Sequence, residues 1–236
     1  MEARIKKIIP FSSVDGPGNR TAIFLQGCNI NCLYCHNPET RDAIGEDTTM
    51  MSTQEVMEVV QKQMPFIRGI TVSGGECMLH PDYLTELFTK AKAQGLSTLI
   101  DSNGTIPFEG KDELLAVTDG VMLDVKAFDS EDHRKVTGAG NDTVLANAVF
   151  LAQHGKLEEI RCVICPKLYN GEKSVAALGE YMKPFYKPGD FHFKLITYRP
   201  MGVREEYINM PSPSRAYMDR LENILAQMGY EDTVIV

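Results

Sequence analysis

Apolar residues along the chain follow two alternating rhythms. Short runs rich in strand-favouring residues recur at Thr21–Gln26, Gly69–Ser73, Ser97–Asp101, Gly120–Asp124, Glu159–Cys165 and Phe191–Tyr198, and each reads as a strand. Between them, apolar residues recur at helical spacing. The first helix is predicted to start at Ser52 or Thr53, because Ser52 and Glu55 offer a capping box ahead of Val56, Val59 and Val60. Others are predicted over Asp82–Gln94, about Lys111–Val117, Thr143–His154, Lys173–Phe185 and Ser214–Met228, with Gly95, Gly155 and Gly229 placed to stop three of them.

Six strand–helix repeats imply a parallel sheet covered by helices, two units short of the eight that close a TIM barrel. The expected fold is α/β, an open partial (βα)6 TIM-like barrel with outer helices, formed by residues 1–236 as a single domain. In such barrels chemistry gathers where strands end at their C-terminal side. Gln26-Gly27-Cys28, Ser73-Gly74-Gly75-Glu76, Asp101-Ser102-Asn103-Gly104, Asp124-Val125-Lys126, Arg161 and Tyr198-Arg199 all fall at or near that rim.

Composition removes several function classes. With 24% charged and 43% hydrophobic residues the chain is an ordinary globular sequence, and its net charge of -8 lacks the basic footprint of a nucleic-acid binder. Neither a signal-peptide pattern nor a run of about 18 apolar residues is present, so a cytoplasmic protein without membrane contact is expected, and separately a monomer. Six cysteines with three in one short loop read as metal ligation rather than a disulfide framework. Cys77, Cys162 and Cys165 are expected to be core thiols, and the five histidines show no ligand spacing.

Cys28, Cys32 and Cys35 stand in GCNINCLYCHNP with CxxxCxxC spacing. Thiolates select iron–sulfur clusters, zinc or copper, and iron–sulfur clusters ordinarily take four of them. Three close thiolates therefore leave one iron of a cubane cluster open to a substrate or cofactor. A Cys3His zinc site using His36 is the alternative, although zinc ligands usually come as two separated pairs. Gly27, Asn29, Asn31, Asn37 and Pro38 make the stretch a polar loop, which argues against simple core packing.

This loop, with Tyr34 just before its last cysteine, resembles the signature of the radical S-adenosylmethionine (SAM) enzymes. VDGPGNRTAIFLQGC before it and HNPET after it resemble the activating enzymes of glycyl radical enzymes, of the short type without extra clusters. The resemblance implies a [4Fe-4S] cluster on Cys28, Cys32 and Cys35, with SAM on the open iron. It assigns Gly74, Gly75 and Glu76 to the motif that contacts the methionyl amino group, and it places Tyr34 at the cofactor. Asp101, Ser102, the Met122 carbonyl and Asp124 match a monovalent-cation site beside the SAM carboxylate, and Lys126 would contact SAM. Arg161 is expected to reach a carboxylate, either SAM or Asp124. Relatives commonly carry a histidine where Arg199 stands, so Arg199 would take over that contact as a donor. The DGPG segment at Asp15–Gly18 reads partly as a tight turn and partly, by resemblance, as a neighbour of the partner's entry path.

The implied activity is reductive cleavage of SAM to a 5′-deoxyadenosyl radical, which abstracts a Cα hydrogen from a glycine of a partner glycyl radical enzyme. A flavodoxin or ferredoxin-type protein would donate the electron. Other readings are a radical SAM enzyme acting on a small molecule, an activase of anaerobic ribonucleotide reductase, and a zinc-binding interaction module.

Overall fold

The computed structural model describes residues 1–236. Its strands are β1 (Glu2–Ser12), β2 (Arg20–Leu25), β3 (Thr49–Ser52), β4 (Gly69–Gly74), β5 (Ser97–Ser102), β6 (Gly120–Asp124), β7 (Leu157–Ile164), β8 (His192–Thr197) and β9 (Val234–Ile235). Its α-helices are α1 (Thr53–Gln61), α2 (Pro81–Ala93), α3 (Asp112–Ala116), α4 (Ser130–Thr137), α5 (Asp142–Gln153), α6 (Gly171–Met182) and α7 (Arg215–Gln227). Strands hydrogen-bond in the order β3-β1-β2-β4-β5-β6-β7-β8-β9. β2, β4 and β5 run parallel, as do β7, β8 and β9, whereas β1 is antiparallel to both β2 and β3. The parallel α/β design is thus the one that the strand–helix repeats imply.

All six predicted strands and all six predicted helices are present, with ends moved by a few residues. Ser52 caps α1 in a full capping box with Glu55, and Gly95, Gly155 and Gly229 all adopt positive φ after their helices. Four elements were not foreseen. β1 carries Lys6, Lys7 and Pro10 and buries only Ala3, Ile5 and Ser12, so it shows no clean alternation. α4 buries just His133, Val136 and Thr137, too few for an apolar stripe, although Asp129 caps its start and Gly138 (φ 81°) its end. β3 and β9 are four and two residues long.

The chain forms two compact units, Met1–Asn29 with Glu39–Ser102 and Phe108–Met122, and Ile30–Pro38 with Asn103–Pro107 and Leu123–Val236. In the first, Ile23, Leu25, Val60, Val72, Leu84 and Phe88 are fully buried. Each such side chain contributes about 1.5–3 kcal/mol through the water it leaves. Arg20 is also buried there, and it crosses the strand starts by donating to Thr71 Oγ1 (2.8 Å), the Ile70 carbonyl (2.7 Å) and Ser97 Oγ (3.0 Å). The Asp15–Gly18 turn packs beside it: the Pro17 carbonyl accepts from Arg20 and Gly16 has φ 112°. In the second unit, Ile160, Ile164, Leu178, Phe193, Leu195 and Leu225 form the fully buried interior.

Candidate cluster and cofactor site

Cys28 belongs to the first unit and follows directly from β2. The peptide leading to it is tied down on both sides, with Gly27 N donating to the Thr40 carbonyl and Cys28 N to that of Arg41, each at 2.8 Å. Gln26 Nε2 adds bonds to the carbonyls of Glu39 (2.8 Å) and Asp42 (2.7 Å). On the other side Gly75 N donates to the Leu25 carbonyl at 3.0 Å and Glu76 N to that of Gly27 at 2.7 Å. A Cβ on Gly74 would stand 2.2 Å from the Leu25 carbonyl oxygen, and one on Gly75 would stand 2.0 Å from that of Gly27. The glycines therefore let the end of β4 back directly onto the peptide that presents Cys28.

Glu76 is fully buried, and its Oε1 accepts from Met78 N and Ser102 Oγ, both at 2.9 Å. The carboxylate caps the short 3-10 turn Cys77–Leu79. Protein donors thus already engage the group that the sequence reading directs to a ligand ammonium. Asp101 Oδ2 accepts from Ser73 Oγ at 2.8 Å, and the side chain of Met122 is fully buried within β6. Cys77 is also fully buried, donates to the Asp101 carbonyl at 3.4 Å, and has its thiol pushed well up by burial and by the charges of Glu76 and Asp101. It is a core thiol.

Cys32 and Cys35 belong to the second unit, where α4 and the segment after β8 hold their loop. Asn31 N donates to the Thr137 carbonyl and Leu33 N to that of Val136, both at 2.9 Å, so the unforeseen α4 anchors the loop by its last turn. Tyr34 is 2% exposed and lies among Val136, Val163, Cys165, Tyr169 and Tyr198. Its hydroxyl donates to the Lys126 carbonyl at 3.4 Å, so the ring plugs the loop into the core. His36 takes a structural place: its Nε2 lies 3.0 Å from the Arg199 carbonyl and its ring stacks on Tyr198 at 6.3 Å. An acceptor-only partner fixes the Nε2–H tautomer.

Lys126 Nζ is 2.6 Å from Asp124 Oδ2, with both side chains largely buried. Burial opposes its charge, but Asp124 above all, with Cys32 and Cys35, outweighs that and holds the ammonium above its usual range. Cys162 has its thiol pushed up to about 12 by burial and by Asp124, and burial raises Cys165 as well, so both behave as core thiols. Arg161 was expected to reach a carboxylate, SAM or Asp124, or else to sit in an ion pair within the barrel. Its guanidinium pairs with Glu159, Nη2 to Oε1 at 2.6 Å and Nε to Oε1 at 2.7 Å. Positions two apart on β7 face the same way, which brings acid and base together. Glu159 is 2% exposed and also meets His192 at 3.1 Å and Lys194 at 3.2 Å. Burial raises its pKa, but His192, Arg161 and Lys194 together bring it down to about 2. The side chain of Arg199 is exposed, and only its carbonyl is engaged.

Cys28, Cys32 and Cys35 are free of disulfides, and thiols are the donor type that iron–sulfur clusters take. A family model described as a 4Fe-4S single cluster domain matches residues 14–145. A putative glycyl-radical enzyme activating enzyme of Haemophilus influenzae is 36% identical, covering 96% of this chain and 91% of that protein. The pyruvate formate-lyase 1-activating enzyme of Escherichia coli is 33% identical over 97% of each, and the pyruvate formate-lyase-activating enzyme of Streptococcus mutans is 38% identical over 81% of this chain and 76% of its own. The chain belongs to the radical SAM family, among the activating enzymes of glycyl radical enzymes. Solved structures agree on the fold. Streptococcus suis SuiB bound to S-adenosylmethionine superposes with a TM-score of 0.68 at 16% identity, over 89% of this chain and 48% of SuiB. Escherichia coli QueE does so with 0.62 at 15% identity, over 100% of this chain and 93% of QueE. Both carry the same α/β architecture.

The sequence reading missed the role of Glu159, which left one signal, an acid two positions before a base within a strand.

Proposed function

We propose that the chain activates a glycyl radical enzyme, holding a [4Fe-4S] cluster on Cys28, Cys32 and Cys35 and binding SAM at the open iron. When bound, the cluster and SAM supply one-electron cleavage of the S–C5′ bond and the hydrogen-atom abstraction that leaves a radical on a partner's glycine. The protein's part is placement and charge. Gly74 and Gly75 bring bare backbone to the methionyl end of SAM, and the Glu76–Ser102 bond keeps that turn in place. Asp101, Ser102, the Met122 carbonyl and Asp124 offer oxygens to a monovalent cation at the SAM carboxylate. Lys126, held charged by Asp124, and Arg161, held by Glu159, supply positive charge for the same carboxylate. Arg199, exposed on the rim, serves a SAM oxygen or a partner acid, and Tyr34 seats the loop at the cofactor. A flavodoxin or ferredoxin-type protein delivers the electron, and residues 1–236 work as one cytoplasmic, monomeric radical SAM domain. No helix is long and apolar enough to cross a membrane.

The observation that carries this reading is the pinned three-thiol loop in a chain 33–38% identical to named activases. Electron paramagnetic resonance of candidate glycyl radical enzymes, incubated with the reconstituted protein, SAM and a reductant, tests it. A doublet glycyl signal in one of them is expected. SAM cleavage without that signal in any candidate would point to a small-molecule substrate.

A further inference from the structure

The segment after β8 forms a strap over the Cys32–His36 half of the cluster loop. Tyr198 Oη donates to the Tyr207 carbonyl at 2.6 Å and closes the strap on itself. His36 meets the Arg199 carbonyl at 3.0 Å, and a Cβ on Gly202 (φ 77°) would stand 2.6 Å from the His36 carbonyl oxygen. At the far end Arg204 Nη2 donates to the Cys32 carbonyl at 3.0 Å while its guanidinium lies 5.3 Å from the Tyr207 ring centroid. Arg204 Nε is buried without a hydrogen-bond partner. No carboxylate pairs with this guanidinium. Of the other cations near this loop, Lys126 is paired with Asp124 at 2.6 Å and the side chain of Arg199 is exposed to water. Glu205 and Glu206 are exposed, where water screens them.

We infer that Arg204 tunes the reduction potential of the cluster, by bringing an uncompensated charge to the Cys32 peptide and by offering its idle Nε–H to a cluster sulfur. Potentials of iron–sulfur centres follow net local charge and hydrogen bonds to sulfur, and a nearby cation favours the more negative, reduced state. The step involved is one electron passing from a low-potential donor to the oxidised cluster, which goes from 2+ to 1+ with no bond made or broken. Arg204 stabilises the product of that transfer and brings the cluster within the donor's range. It is a positioning and tuning residue, since it acts through the cluster and its loop. The inference rests on the proposed cluster at Cys28, Cys32 and Cys35.

Anaerobic potentiometric titration of the cluster-loaded protein, followed by the electron paramagnetic resonance signal of the reduced cluster, tests it in three forms. Arg204→Gln removes the charge and leaves a shorter polar amide in its place. Its reduced-to-oxidised ratio at a fixed potential should fall tenfold, a midpoint shift of about 59 mV for one electron. Arg204→Lys keeps the charge and should restore most of the ratio. An unmoved midpoint in Arg204→Gln at full iron content would overturn the inference. Loss of iron in Arg204→Gln would overturn it too, because the arginine would then be a mechanical clasp. Absence of iron from the unsubstituted protein would instead remove the functional reading beneath it.

Discussion

Glu159 gathers Arg161, Lys194 and the His192 imidazole at a position that water barely reaches. Its carboxyl is held at about 2 against an ordinary 4.5. A depressed folded pKa adds stability above the unfolded value, and that stability is lost as pH falls from about 4.5 through about 2. Glu159→Gln should cost about 3 kcal/mol at pH 7, the low end for a broken buried pair, because His192 and Lys194 retain some access to water. Urea midpoints measured at pH 7 and again near pH 2.5 check this: the gap between the parent protein and the variant should shrink at the lower pH. The cysteines allow a second residue-level test. Cys32→Ala should abolish cluster assembly, whereas Cys165→Ala removes a fully buried thiol from the Tyr34 cluster and should leave iron content nearly intact. Equal iron loss in both would overturn the ligand assignment. At this scale the candidate cluster ligands stand out because their spacing is local. The Glu159 network depends on cross-strand register with β8, and the pairing of Glu159 with His192 and of Arg161 with Lys194 cannot be read from either strand alone.

Among the elements, the turn after β4 controls the cysteine loop by close backbone approach. Gly75→Ala places a methyl 2.0 Å from a carbonyl oxygen that cannot yield, so β2 and β4 must separate there. Gly95→Ala meets nothing within 4 Å and only strains a left-handed stop (φ 76°), for about 1 kcal/mol. Thermal melts should show a modest shift for Gly95→Ala and a large one for Gly75→Ala, the latter with lost iron binding. A similar shift in both would mean that the β4 turn is not a tight contact. Capping patterns made the helices legible, since Ser52 with Glu55 and the glycine stops are short-range signals. α4 was missed because its value lies in two last-turn carbonyls that accept from Asn31 and Leu33 rather than in a long apolar stripe.

At the level of the whole chain, the βα repeats carried the architecture, while the two sheet edges escaped notice because strands of four and two residues have too little pattern to count. β9 nevertheless covers β8: Thr197 N donates to the Val236 carbonyl at 2.7 Å and Val236 N to that of Leu195 at 3.1 Å. An uncovered edge invites pairing between molecules. Removing residues 233–236 should therefore raise light scattering on warming and lower the melting temperature, and an unchanged scattering profile would count against an edge-protecting role. The strap that reaches back from Arg199 and Arg204 to Cys32 and His36 has a further consequence, for timing. Its two ends are 172 residues apart in the chain for the Arg204–Cys32 bond. During synthesis the cysteines emerge long before the residues that hold their loop still, so they must wait as reduced thiols. The hold that the strap gives the loop therefore exists only in chains made at least as far as Arg204.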